Sequence, residues 1–392
     1  MAQQPDSTAP LPRILVLAEG DPESYRANSG TVRSIVDALR HAPCTVVTAN
    51  VDLSGMDKAL AALMSFSPNR RRWGVKYHTG ALPFALRSAR ANAALRRAGP
   101  VDAIIQYGST FLASGSGTTP YYLYMDSNMV MAQHAPVSWA TSLTPRQVAG
   151  VVGREREAYS HVSGILAFSE HARRSFVDEL EVDPARTHTV FAGPNLVLDG
   201  TENRAAFDKA PPTILFVGVE FERKGGPQLL AAFREVRAQL PDAQLLIVGP
   251  RDLAVSEPGV TVVGHLRKDE PADRARLMEC YARSSVFCLP TRYEPFGVAL
   301  LEAMHHGLPC IATSGWAIPE IIEDGRTGYL VELDDTVQLA DRLTRLLSRP
   351  DEAAAMGAAG MDRARRLFSW DSVARRMLDV AAPGVHRQGV TA

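Results

Sequence analysis

Cysteine is scarce in this chain. Cys44, Cys280, Cys288 and Cys310 are the only four in 392 residues, far apart and without CxxC spacing. That excludes a disulfide-stapled scaffold and a cysteine-rich zinc site; four small core thiols in a reducing compartment are expected. No apolar run approaches the ~20 residues needed to span a bilayer. The opening MAQQPDSTAPLP has neither the basic stretch nor the apolar core of an export signal, so a soluble, cytoplasmic protein is expected. Net charge is nearly absent, -1 at pH 7, and no global field draws the protein to nucleic acid or lipid. No GxGxxG follows the first apolar segment, which argues against a nicotinamide dehydrogenase. No Asp-x-Asp pair ends a strand-like run in a suitable place, so no metal or other cofactor is expected.

What is present is alternation. RILVLAEG reads as a buried parallel strand and TVRSIVDALR as an amphipathic helix; CTVVTANV, DAIIQYG, YYLYMD and GILAFS follow as short β-type runs separated by helical patterns. The polar, turn-rich GPNLVLDGTENRAAFDKAPP interrupts the series. TILFVGV, QLLIVG, VTVVG, SVFCLP, LPCIAT and GYLVEL then restart it, each expected to lead into a helix. At this length two cores are expected. The pattern predicts two α/β domains with parallel sheets, residues 1–195 and 213–367, joined by a linker at 196–212. A cleft between them is the natural place for chemistry. The last helical pattern, 368–385, has Trp370, Val373, Met377 and Val380 on one face and must pack on something.

The stretch TRYEPFGVALLEAMHHGLPC holds two acids, Glu294 and Glu302, on either side of a predicted helix start. Pro295 suits a first helical turn and Gly297 allows close approach of a ligand to the backbone. The amino end of such a helix, at the carboxyl edge of a parallel sheet, favours a diphosphate. Glu302, inside the helix, is acceptor-only and can take two hydroxyls of a ribose; Glu294 can take hydroxyls of a sugar. The plainer alternative is that both acids only favour the helix dipole or form surface ion pairs. The strand before them and the Pro-Phe-Gly between them favour the ligand.

Tyr293-Glu294-Pro295-Phe296-Gly297, then Glu302-Ala303, Gly307, Pro309, PEII (319–322) and DGRTGYLV (324–331), resemble the retaining glycosyltransferases of family 4. The resemblance implies the GT-B architecture, two Rossmann-like domains facing a cleft, with a nucleoside diphosphate sugar held by an E-x7-E element of the second domain. It covers most of the chain from Val162 onward and is weaker over the first 150 or so residues. By the same resemblance Lys224 and Gly225 lie against the donor phosphates, where a cation offsets charge on the departing diphosphate. Many members carry an arginine directly after the strand glycine; Val219 stands there, and Arg223 is the candidate second cation. The backbone of Phe296, Gly297 and Val298 would meet the sugar, and that of Gly264, His265 and Leu266 the base. The resemblance also implies that the final helix crosses back to the first domain.

In the first half, Ser29 is the expected cap of the first helix, and Gly30 is a candidate for closing on the donor diphosphate, with a plain capped turn as the equal alternative. Asp126 stands where related enzymes often have a histidine. A carboxylate there can orient the donor or support charge at the anomeric carbon, or it can cap the segment from Ser127. Ser169 and Glu170 are expected to begin a helix. From Lys58 to Val101 there is no acidic residue, while Arg70, Arg71, Arg72, Lys76, Arg87, Arg90, Arg96 and Arg97 accumulate with Trp73, Tyr77 and Phe84. Such a face can meet an anionic acceptor or lipid headgroups; the plainer expectation is a solvated helix face balanced by acids elsewhere. No nucleic-acid recognition motif accompanies it.

The implied activity is transfer of a hexosyl unit from a nucleoside diphosphate sugar to a hydroxyl acceptor, with retention. Lys224, Arg223, Glu294 and Asp126 are the expected catalytic residues, and Gly30, Lys224, Gly264, His265, Leu266, Glu294, Phe296, Gly297, Val298 and Glu302 the donor site. A sugar-nucleotide epimerase and a non-catalytic partner subunit of the same fold remain as rivals.

Overall fold

The computed structural model describes residues 11–135, 137–196 and 211–383. The first ten residues, nearly all of the expected linker and the end of the expected final helix lie outside them. The chain divides into two compact units, one running to Ala192 and resuming at Trp370, the other Gly193–Ser369.

The first unit is built on six parallel strands: β1 (Arg13–Ala18), β2 (Thr45–Asn50), β3 (Ala103–Tyr107), β4 (Tyr121–Met125), β5 (Gly164–Ala167) and β6 (Thr187–Thr189), in the order β2-β1-β3-β4-β5-β6. The central strands are apolar on both faces, as a sheet covered by helices on each side requires. Leu15, Leu17, Ile104, Leu123, Ile165 and Ala167 meet in one core. The edge strand β2 is half exposed and mixes Thr and Asn with its valines. Ser169 caps the helix Glu170–Arg174 by accepting the Ala172 N–H at 3.0 Å. The closing helix, Trp370–Ala381, belongs to this unit. It buries Val373, Ala374, Met377, Leu378 and Ala381, while Trp370 and Val380 of the expected stripe are only half-buried. Arg376 donates to the Val190 carbonyl at 2.9 Å.

The second unit repeats the architecture with β7 (Thr213–Val217), β8 (Gln244–Val248), β9 (Val260–Gly264), β10 (Val286–Leu289), β11 (Cys310–Thr313) and β12 (Gly328–Val331), all parallel, in the order β12-β11-β10-β7-β8-β9. Two expected helices are missing. Residues 249–259, between β8 and β9, carry none, and neither does most of 108–120 between β3 and β4, where a single 3₁₀ turn spans Ser114–Ser116. Pro250 and Pro258 flank the first of these, and glycines stud the second, so neither segment can sustain an α-helical ladder. All four cysteines are buried and unpaired.

Both strand orders reverse direction once. In the first unit the chain moves outward from β1 to β2 and then crosses to β3. In the second it moves from β7 to β8 and β9, then returns to β10 on the other side of β7. The loops leaving the two strands at such a reversal splay apart and leave a crevice at the carboxyl edge of the sheet, where ligands of open α/β sheets bind. The β1/β3 and β7/β10 edges are therefore where such crevices form.

Candidate active site

At the β7/β10 reversal two loops are forced together. Gly225 adopts φ +80, and a Cβ there would sit 1.8 Å from the Pro290 carbonyl oxygen, so no side chain can replace its hydrogen. This contact sets the Arg223–Lys224 turn against the start of the 290–297 loop. The Arg292 N–H donates to the Arg223 carbonyl at 2.9 Å, and the Thr291 hydroxyl donates to the Tyr293 carbonyl at 3.0 Å. Lys224 Nζ then pairs directly with Glu294 Oε2, both side chains nearly buried. Residues 70 positions apart form one cation–carboxylate pair at the sheet edge.

Arg223 is engaged elsewhere. Its Nε donates to Glu220 at 2.6 Å and its Nη1 to the Tyr293 carbonyl at 2.5 Å, which fastens the loop carrying Glu294. Val219 points to solvent, so no second cation stands there.

Glu302 lies on the helix Val298–His305, which starts at Gly297 with φ 116. A Cβ on Gly297 would press on Leu300 and Ile321, so its glycine answers to local packing as well as to backbone conformation. The Phe296 ring is buried edge-on to Phe368, and Val298 is half-buried at the helix start. The Glu302 side chain is 1% exposed. Oε1 pairs with Lys268 Nζ and accepts the Asn195 N–H at 3.2 Å; Oε2 accepts the Tyr281 hydroxyl at 3.0 Å. Burial, and then the Glu302 charge, push the Tyr281 phenol well up, so it stays a proton donor. His306 stacks on Tyr281 at 4.7 Å and closes the far side. Lys268, whose side chain is 23% exposed, is the solvent edge of this cluster.

Gly264 ends β9 with φ +86, and a Cβ there would meet nothing within 4 Å. Open space beside a backbone in this conformation is what recognition by main-chain groups needs. His265 spans Gly249 O and Arg251 Nη2, each at 3.3 Å, so it ties two loops together, and Leu266 is half-buried beside it.

The first unit gathers its own residues at the β1/β3 reversal. Glu19, directly after β1, accepts the Thr110 hydroxyl at 2.9 Å, contacts His78 Nδ1 at 2.9 Å and pairs with Arg87 Nη2 at 2.7 Å. Burial raises this carboxyl, but His78, Arg87 and Thr110 together hold it below its ordinary range. Arg87 is fully buried, with Tyr77 against its guanidinium. It is a core cation, not part of a solvated basic face. Nearby, the first helix is capped by Gly30 in the left-handed region, not by Ser29, which itself has φ 54 within the preceding 3₁₀ turn. Tyr107, at the end of β3, has a phenol pushed up by burial and then by the Asp126 carboxylate, and pulled back by a hydrogen bond with Thr31. Thr31, next to Gly30, and Asp126 thus converge on one tyrosine. Asp126 accepts the Ser127 hydroxyl at 3.0 Å, and Asn128, not Asp126, caps the helix Met129–His134.

Lys268, Tyr281, Glu19 and Thr110 were not evident from the sequence. Lys268 lies two residues beyond Leu266, whose backbone the family resemblance ties to the base, and that nearness was the available signal. Tyr281 sits at an apolar helix position and looks like any core aromatic. Among the described residues no cluster of three or more His, Cys, Asp or Glu could hold a metal, and no helix is long and apolar enough to cross a membrane.

Two all-parallel six-stranded units, with charged residues gathered at the reversal of each sheet, define the GT-B fold. Sucrose-phosphate synthase from Thermosynechococcus elongatus superposes with a TM-score of 0.66 at 21% identity, over 96% of this chain and 98% of that one. HepE from Anabaena, solved with UDP and glucose, superposes with a TM-score of 0.63 at 14% identity, over 95% of this chain and 100% of that one. Residues 211–349 match the family model of glycosyl transferases group 1, so the chain carries a domain of that family. Phosphatidyl-myo-inositol mannosyltransferase of Mycobacterium leprae is 33% identical over 251 residues, 62% of this chain and 64% of that protein. Alignments to the first curated relatives cover 64%, 62% and 57% of their lengths, so the chain spans less than two thirds of each.

Proposed function

We propose that this protein transfers a hexosyl unit from a nucleoside diphosphate sugar to a hydroxyl acceptor, with retention at the anomeric carbon. The observation that carries the reading is the Lys224–Glu294 pair at the β7/β10 reversal, beside a helix amino terminus. A diphosphate carries more negative charge than one carboxylate and competes for Lys224. Its arrival frees Glu294 to accept sugar hydroxyls, so one exchange of partners binds both parts of the donor. Lys224 then offsets the charge that grows on the leaving diphosphate. Arg223 positions the loop that carries Glu294.

Glu302 takes the ribose in this reading. Three donors already engage its two oxygens, and a carboxylate has about four acceptor positions, so a pair of ribose hydroxyls requires Lys268 to swing out. Its place at the solvent edge permits that. The backbone from Gly264 to Leu266 meets the base, and Gly30 and Asp126 are the first unit's own site residues. The acceptor binds the first unit around Glu19, His78 and Thr110. HepE, which shares the fold, was solved with UDP and glucose, and the mannosyltransferase relative is named for a sugar-transfer reaction; both support this choice.

A thermal-shift panel of UDP, GDP, ADP and their sugars identifies the donor, because a ligand at a hundred times its Kd adds about 2.7 kcal/mol to stability. Lys224→Ala and Glu302→Ala should each lower transfer at least about a hundredfold. Wild-type turnover in both variants refutes the assignments. Product analysis without acceptor separates the rivals, since an epimerase converts the donor alone and a non-catalytic subunit leaves it intact.

A further inference from the structure

Nine large apolar side chains stand out in solvent among the described residues, and five of them fall in one short stretch: Met56, Leu60, Leu63, Met64 and Phe66. The helix Gly55–Met64 buries only Ala61. Met56, Leu60, Leu63 and Met64 follow the i, i+4, i+7, i+8 spacing of a single helix face, a face turned outward instead of toward the core. Met56 is 85% and Leu63 72% exposed. Water-facing apolar clusters of this kind are uncommon on a folded chain and mark something that docks there.

The platform is firm. Phe66 meets Trp73 edge-to-face at 5.7 Å, Trp73 Nε1 donates to the Ala62 carbonyl at 2.8 Å, and Lys76 Nζ donates to the Phe66 carbonyl at 3.0 Å. The helix Gly55–Met64 is thereby fixed to the helix Arg70–Thr79. That second helix begins Arg70-Arg71-Arg72, with Arg70 and Arg71 exposed, and Lys58 is exposed on the first. Asp57, an acid of the apolar helix, is faced by Arg90 at 3.7 Å. Among the described residues no carboxylate pairs with Lys58, Arg70, Arg71, Arg72 or Lys76. An outward apolar face is thus rimmed by basic side chains that pair with no carboxylate among the described residues.

We propose that this face docks on a bilayer surface rich in anionic lipid. Met56, Leu60, Leu63, Met64 and Phe66 would enter the boundary between headgroups and acyl chains, and the basic rim would lie against lipid phosphates. Charge complementarity favours this occupant over an ordinary protein partner. Each basic side chain at such a surface strengthens partitioning about fivefold, and each methylene that leaves water about fourfold.

The test is sedimentation of the full chain with vesicles of phosphatidylcholine alone, and of phosphatidylcholine and phosphatidylglycerol in equal parts. Binding should require phosphatidylglycerol and weaken in high salt. The double variants Leu63→Ser/Met64→Ser and Lys58→Glu/Arg70→Glu should each bind at least about tenfold more weakly, with unchanged circular dichroism and melting, because all four side chains are exposed. Equal binding to neutral vesicles, or no binding to the mixed ones, overturns the proposal. So does a dimer in light scattering that Leu63→Ser/Met64→Ser dissolves, since the face would then join two copies. The assay needs no sugar donor, so its failure leaves the transferase reading standing.

Discussion

Glu302 offers the sharpest test of the second unit, because its carboxylate is buried and its three partners are known. In Glu302→Gln the amide oxygen can still take Asn195 and Lys268, and its NH₂ can turn to the Tyr281 hydroxyl, which then accepts. The loss is mainly the charge assistance to Lys268, and with that side chain 23% exposed the cost should be about 2 kcal/mol. In Glu302→Leu all three donors lose their acceptor inside the core, and about 4 kcal/mol is expected. For a unit of this size each kcal/mol lowers the melting temperature by roughly 2–4 °C. Calorimetry of the full chain should therefore show falls of about 5 °C for Gln and about 12 °C for Leu in one transition. Combining Glu302→Gln with Lys268→Met should reveal a coupling of about 1–2 kcal/mol. Two variants melting within a degree of the unchanged protein, or a coupling of zero, would show that this cluster does not hold the carboxylate. Nucleotide binding adds a second readout: Lys268→Met should keep it, whereas Glu302→Leu should abolish it.

Other outcomes follow from the same geometry. Gly225→Ala meets both a left-handed φ and the Pro290 carbonyl, and should cost about 3 kcal/mol and erase the nucleotide-induced thermal shift. Gly264→Ala, at a similar φ but in open space, should cost only about 1 kcal/mol. Glu155 in the first unit and His305 in the second should answer oppositely to pH. Burial raises Glu155 to about 7, only partly opposed by the Met129 N–H, so the folded first unit keeps a proton that the unfolded chain loses. The stability that this proton contributes should fall by about 3 kcal/mol as pH rises from 4.5 to 7, and Glu155→Gln should remove that contribution. His305 is pushed down to about 4 by burial, then by Arg365 and His306, so the folded second unit stays unprotonated where the unfolded chain binds a proton. Its stability should fall as pH drops from 6.5 to 4, and His305→Gln should reduce the loss. A Glu155→Gln or His305→Gln variant that keeps the pH slope of the unchanged protein would contradict that residue's assignment.

Much of this was legible in the chain itself. Every quoted apolar run lies on a strand, because strands covered on both faces must be continuously apolar. Glu294 could be picked out as an acid before Pro-Phe-Gly, a local pattern, and Lys224 through the family resemblance. The missing helix between β8 and β9 was foreseeable from Pro250 and Pro258. The outward face of the helix Gly55–Met64 was not, for an apolar stripe has the same spacing whether it meets a core or water.

The order of residues determined which segments alternate, where buried strands run, and which turns need glycine, because those properties depend on near neighbours. Tertiary structure alone decided who meets whom. Lys224 finds Glu294, Lys268 and Tyr281 find Glu302, and Arg87 finds Glu19 only because parallel strands bring distant loops and helices to one sheet edge. Burial then fixes the energetic weight of each pair, and burial belongs to the packed molecule, not to any stretch of it.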